Sequence, residues 1–279
     1  MSGNFRKLLI TLSYYFRNFY RSRSFYLMLV ITMLVSGLMI YFTVKYADNL
    51  SSLFPNANLS SLGTGEKESV FGFVWSFVLI DLPVFAAVFF GSSAISSEIE
   101  NRTAYHIFTL PIGRVTLFFG KFLAAFLITT LTVMIYVLAQ AVTFLIVFRA
   151  PLVAGYYNSI WLLIVFIFAI TAFTFMLSSI FNKNTYAYIS VFLVYFLVFN
   201  AYQIIVEFLY RTTPFYLLNL AAAIIEKVYL NISFSLFLFN FSLSPAPPAE
   251  ILQSVLIMVA YAIVSLAVAL VIFDRKEVK

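Results

Sequence analysis

The stretch 95–121, ISSEIENRTAYHIFTLPIGRVTLFFGK, is the one long run of dense polar chemistry in this sequence, with long apolar runs on either side. It offers two carboxylates (Glu98, Glu100), two guanidinium groups (Arg102, Arg114), a hydroxyl (Thr103), the chain's single imidazole (His106) and an amine (Lys121). These groups are not arranged for bond-making. Cys is absent, which removes disulfides, thiolate metal ligands and thiol nucleophiles. One His cannot build a multi-His metal or haem site. What remains is recognition. Thr103 can cap a new helix through its side-chain oxygen, and Ala104–Leu110 would supply about two turns before Pro111, since the residue preceding proline avoids helical geometry. Gly113 and Arg114 then turn the chain. Tyr105, Ile107 and Phe108 would project as apolar knobs among charges, a pattern that fits a groove on another protein. The competing reading is an ordinary loop with a charged rim.

The elements that must hold this segment are membrane spans. Hydrophobic residues make up 63% of the 279, charged residues only 10%, and the mean hydropathy is +1.01. Soluble domains carry about 25% charge, so the chain reads as an all-α integral membrane protein forming one transmembrane domain over 1–279. A helix crosses the bilayer with about 20 apolar residues. Six runs qualify, at 25–44, 70–97, 115–148, 159–181, 186–210 and 251–273, which leaves 98–114 as a loop between the second and third. The basic N-terminus precedes an apolar run without a small-residue cleavage site, which reads as a retained anchor.

Charge fixes the expected orientation. The segments 1–24, 98–121, 182–185 and 274–279 hold twelve of the 17 Lys and Arg residues, so these face the cytoplasm together with both termini. Asn-x-Ser sequons at Asn49, Asn58, Asn231 and Asn240 all fall on the opposite side and are candidate glycosylation sites. The outer region 211–250 contains two shorter apolar pieces, 215–225 and 228–243, split by Glu226-Lys227. Spanning the bilayer there would cost roughly 5 kcal/mol or more, so re-entrant or interfacial half-helices are expected instead. Ahead of the first span, Phe5, Leu8, Leu9, Leu12, Phe16 and Phe19 share one helical sector, with Arg6, Lys7, Arg17 and Arg21 nearly opposite. Residues 1–24 therefore predict a basic amphipathic helix at the cytoplasmic interface.

Glu98, Glu100, Thr103, Pro111, Arg114 and Lys121, in the spacing E-x-E-x-x-T-x7-P-x-x-R-x6-K, resemble the type-2 permease class of ATP-binding-cassette exporters. The resemblance covers essentially the whole chain, including the amphipathic helix, six spans and a tight second cytoplasmic turn at 181–185. One departure is Arg102, where many relatives have Gly just before the Thr. The resemblance implies a coupling helix that docks on an ATP-hydrolysing subunit through Glu98, Glu100, Arg102, Thr103, Tyr105, His106, Phe108, Pro111 and Arg114. It also implies two copies of that ATPase, which would bind ATP and Mg, and a second permease as homo- or heterodimer in the cell membrane. No cofactor is expected on this chain, and no nucleic acid among its partners. Consistent with a motor elsewhere, no G-x-x-x-x-G-K-[ST] phosphate loop occurs.

Two polar residues inside the apolar runs bear on a transport path. Asp81, near the middle of the second run, costs about 2.5–3.5 kcal/mol against lipid. It reads either as a group on the substrate pathway or as a hydrogen-bonded support for a kink at Pro83. Gln140 reads as a pathway contact or an inter-helix hydrogen bond. The expected activity is export of an amphiphile such as a lipid, peptide, drug or glycolipid. The alternative is an ATP-independent carrier or channel, which would show more intramembrane charge and often inverted repeats.

Overall fold

The computed structural model describes residues 3–47, 63–101, 112–230, 234–236, 241–243 and 245–275. Within them the chain is helical save for one short hairpin, and six helices are long and apolar enough to cross a bilayer. Helix α1 (Gly3–Tyr20) stops where Ser22 caps its successor, the Ser22 hydroxyl oxygen accepting from the Phe25 N–H at 3.2 Å. That cap satisfies one of the donors every helix start leaves open. The chain therefore turns a corner at Arg21–Ser22 and enters the first span, α2 (Arg23–Tyr46).

The second span has two pieces, α3 (Thr64–Gly91) and α4 (Ser93–Glu100), which meet at Ser92. Its last turn is serine and glutamate, so the helix outlasts its own apolar stretch. The third and fourth spans are single helices, α5 (Arg114–Val147) and α6 (Ala154–Ile180). The fifth is α7 (Asn184–Phe192), a π-helical turn (Leu193–Val198) and α8 (Phe199–Tyr210). Two short helices follow, α9 (Leu218–Ala222) and α10 (Ile224–Lys227). Strands β1 (Phe234–Leu236) and β2 (Phe241–Leu243) pair antiparallel before the sixth span, α11 (Pro248–Arg275). The expected half-helices over 215–225 and 228–243 thus need correcting. Both short helices lie before Val228, and within 228–243 the described regular elements are the strands β1 and β2. The reason is periodicity: Phe234-Ser-Leu and Phe241-Ser-Leu alternate apolar and polar with period two rather than 3.6.

The second, third and fourth spans make the packed centre. The sixth lies along the fourth and the first along the third, while α1 runs beside the start of the third. The first, fifth and sixth spans keep outward rows of large apolar residues, such as Leu34, Leu38 and Phe208. Trp75 and Trp161, near the outer boundary, read from sequence as interface belt and packing. Trp161 is 72% exposed, but Trp75 is fully buried. Its Nε1 donates to Thr43 Oγ1 at 2.8 Å, and the Tyr136 hydroxyl donates to its carbonyl at 3.0 Å. A satisfied indole N–H removes the main penalty of burying that ring.

Two close approaches depend on glycine. At Gly120 a Cβ would come within 2.6 Å of the Thr11 methyl, so this glycine lets α1 lie directly on the third span. At the other end of the bundle Gly72 makes room for the Tyr229 ring. The protein-facing stripe of α1 is Leu8, Thr11, Leu12, Tyr15 and Phe19, whereas Phe5 and Leu9 remain 45% and 43% exposed. The apolar sector seen in the sequence is therefore divided: one part packs on the bundle and the rest stays exposed.

Candidate coupling site

The end of the bundle carrying α1, Glu98, Arg114, Lys183 and Arg275 (the basic end) holds a chain of polar contacts around the described residues that flank 102–111. It begins at the Ser92 joint. Ser178 of the fourth span donates to the Ser92 carbonyl at 2.6 Å, and its hydroxyl oxygen accepts from the Ile95 and Ser96 N–H groups at 3.3 and 3.2 Å. One side chain thus closes the donors exposed where α3 ends and α4 restarts, and it fixes the direction in which α4 leaves the core.

Glu98 projects from α4 into a buried cluster. It is ion-paired to Lys121 Nζ and accepts from the Tyr15 hydroxyl at 2.8 Å. Lys121 is 0% exposed, and its Nζ lies 5.1 Å from the centre of the Tyr15 ring and 5.7 Å from that of Phe273. Both are cation–π distances. Burial first, and then the Glu98 carboxylate, hold the Tyr15 phenol well above its ordinary pKa, so Tyr15 remains the donor. The cluster joins α1 (Tyr15), α4 (Glu98), the third span (Lys121) and the sixth (Phe273). Taking one charge out of such a pair strands the other in low dielectric.

Three further contacts complete the ring. The Asn184 N–H, opening the fifth span, donates to Glu100 Oε2 at 2.9 Å, and Ser96 Oγ donates to Asn184 Oδ1 at 3.2 Å. Arg114 donates through Nη1 to the Asp274 carbonyl, tying the start of the third span to the end of the sixth. Glu98, Glu100 and Arg114 therefore contact their own chain at the loop's base. Arg102, Thr103, Tyr105, His106, Phe108 and Pro111 lie outside the described residues, as do Asn49, Asn58, Asn231 and Asn240. Sequence reasoning assigned no role to Tyr15, Asn184, Ser178 or Asp274. Lys121 did carry a signal, since an amine inside an apolar run demands a partner. The others show none: Tyr15 sits at the edge of the amphipathic pattern, and Ser178 is one serine among many.

Asp81 and Gln140 are not in comparable surroundings. Asp81 is exposed on the second span, on one helical face with Phe77 and Phe85. Phe85 packs against Phe192 and Phe196 of the fifth span. Gln140 is fully buried, and its Oε1 accepts from the Tyr229 hydroxyl at 3.2 Å. It fastens the segment after α10 to the centre of the bundle. Towards that far end a cavity of 330 Å³ lies between the second, fifth and sixth spans and α9–α10, with Glu207, Glu226, Lys227 and Glu250 in its wall. Lys227 pairs with Glu250 at 3.2 Å, and Glu207 accepts from Gln203 at 3.0 Å. Burial, aided by Asp81 and opposed by Lys227, pushes the Glu226 carboxyl up to about 8.

Six helices long and apolar enough to span, with an N-terminal helix packed on the third of them, define a polytopic helical membrane protein. The sequence model described as ABC-2 family transporter protein matches residues 15–278. The chain belongs to that family: it is a multi-pass permease, the membrane subunit of an ABC transporter, and its family works with an ABC ATPase subunit. No curated protein gives a significant match.

Proposed function

We propose that this permease couples ATP hydrolysis on a separate ATPase subunit to export of an amphiphile. In this reading the basic end faces the cytoplasm of a plasma-membrane protein, both termini lie inside, and 98–114 docks on the motor. Two ATPases, holding ATP and Mg, and a second permease, identical or not, complete the assembly. The observation that carries the reading is the ring of contacts at the loop root: Glu98 to Lys121 and Tyr15, Glu100 to Asn184, Arg114 to Asp274. A push on the loop would reach α1 and the third, fifth and sixth spans together, as a lever requires. Within the loop, Tyr105, His106 and Phe108 would supply the motor contact, with Arg102 and Thr103 setting the start of the helix and Pro111 its end. Asp81 is the polar group placed to meet cargo. Gln140, buried against Tyr229, serves packing in this reading. Sequons at Asn49, Asn58, Asn231 and Asn240 would face outside.

The test is affinity purification in mild detergent followed by reconstitution. Tyr105→Ala with Phe108→Ala should retain a folded permease but lose ATPase co-purification and transport at least tenfold, a loss of about 1.4 kcal/mol in the contact. Undiminished capture of the ATPase and undiminished transport would overturn the proposal.

A further inference from the structure

At the corner where α1 hands over to the first span, a second cavity of 340 Å³ opens at the basic end. Its wall includes Arg21, Asn18, Ser24 and Tyr188, with Phe19 and Phe89 as apolar sides. The chemistry of this lining is one-sided. It holds a guanidinium and no carboxylate. Ser22 and Ser93 also line it, but their hydroxyls already donate to the carbonyls of Phe19 and Phe89. The remaining groups keep protons to give. Among the described residues the Arg21 guanidinium, the Asn18 amide and the Ser24 hydroxyl have no hydrogen-bond partner, and Tyr188 only accepts, from Asn184 Nδ2 at 3.2 Å. A cavity lined by one cation and several unused donors fits an oxyanion, and guanidinium with hydroxyl and amide donors suits phosphate.

Position decides which phosphate. The cavity sits at the corner between the basic amphipathic α1 and the first span, and an interfacial α1 would put that corner at the level of lipid phosphates. Phe19 and Phe89 line its flank, offering apolar surface to the attached chains. Its far wall is part of the loop root, because Ser93 belongs to α4 and Asn184 is bonded to Glu100 and Ser96.

We infer that this cavity binds the phosphate headgroup of a lipid from the cytoplasmic leaflet, and that occupancy is conveyed to the 102–111 loop through Asn184 and Glu100. The binding half stands on the cavity alone. The conveyance half rests on the reading of 98–114 as the ATPase-facing segment.

The experiment uses the full permease, alone and with its ATPase, and phosphatidic acid as the probe. Native mass spectrometry measures lipid retained by the permease, with diacylglycerol and inorganic phosphate as comparisons. Arg21→Gln and Tyr188→Phe should each weaken phosphatidic acid retention, Arg21→Gln by about tenfold, the scale of one charge-assisted hydrogen bond. Arg17→Gln, one turn earlier on α1 and outside the cavity, should leave it unchanged. Equal losses for Arg17→Gln and Arg21→Gln would mean diffuse attraction of basic residues to headgroups and would overturn the site. Displacement of the lipid by equimolar inorganic phosphate would overturn the lipid assignment in favour of a free anion. Retention of diacylglycerol as strong as that of phosphatidic acid would overturn the phosphate assignment. For conveyance, phosphatidic acid should raise ATPase activity of the wild-type complex and fail to do so with Glu100→Ala, whose lipid retention is unchanged. Lipid stimulation that survives Glu100→Ala would overturn conveyance. Failure of any ATPase to associate would instead strike the coupling proposal, leaving the retention result readable by itself.

Discussion

Lys121 has no water contact, yet it is one of only 17 basic residues in the chain and the only one fully buried among those described. A lysine so placed is tolerable because Glu98 neutralises it and two aromatic rings face it. Glu98→Gln keeps the shape and removes the compensation, so about 3–5 kcal/mol of stability should be lost. Lys121→Met combined with Glu98→Gln leaves no stranded charge and should recover most of that loss. Thermal unfolding of the wild type and the two variants in one detergent decides the matter. A double variant as unstable as Glu98→Gln would show that the cluster acts through packing, not charge. Glu98 was legible in the sequence as an important acid, but as a contact for another protein. The inward direction of its side chain depends on α1 folding back over the third span, and no local pattern around residue 98 encodes that.

Among the elements, α9–α10 and the residues after them show how a non-spanning segment is held. The Tyr229 ring occupies the space left by Gly72, its hydroxyl lies 2.7 Å from Ser159 Oγ, and it donates to Gln140. Glu226, two residues before Val228, is the titratable element of this attachment. Its carboxyl moves from the ordinary 4.5 in the detached state to about 8 when docked. Docking therefore takes up a proton. The attachment is strongest at low pH, weakens as pH rises between those two values, and is level above the upper one. Asp81, Glu207 and Glu250 share the acidic surroundings, and Lys227 offsets them. Amide hydrogen exchange across 218–230, corrected for intrinsic rate, should speed up as pH is raised from about 6 to about 9. Glu226→Gln should remove that dependence. Exchange that rises equally in the variant would place the titration elsewhere. The sequence showed that this region could not span the bilayer, because Glu226-Lys227 forbade it. It misled on the second piece, where apolar composition suggested helix and the period-two alternation of Phe234–Leu236 and Phe241–Leu243 prevailed.

For the whole molecule, the six spans were readable because long apolar runs carry their own signal, and the tertiary arrangement only extended their ends. The division into a packed centre and three outward spans was not readable. Hydropathy is as high in the sixth span, at 2.9, as in the fourth, at 2.7, though one is mostly outward and the other mostly buried. Asp81 makes the outward surface incomplete. In the proposed assembly a second permease covers this face: left to lipid, a carboxylate beside Phe77 and Phe85 would cost about 2.5–3.5 kcal/mol, a cost spared where Asp81 lines a polar cargo path between two subunits. Because the chain contains no Cys, Asp81→Cys introduces a single thiol into an otherwise unreactive protein. Mild oxidation in native membranes should yield a cross-linked pair. Leu38→Cys, outward on the first span, should stay uncrosslinked. The reverse pattern would move the seam to the first span.

The seating of α1 on Gly120 has a mechanical corollary. A helix that lies flat and half in lipid follows the surface of the bilayer, rising or sinking as the membrane thickens, thins or bends. Because this one is clamped to the third span and shares the Glu98–Lys121 cluster with α4, such movements would reach both helices together. Under the proposed coupling the membrane acts as a spring in series with the engine, and lipid acyl length alone should retune how readily the motor engages.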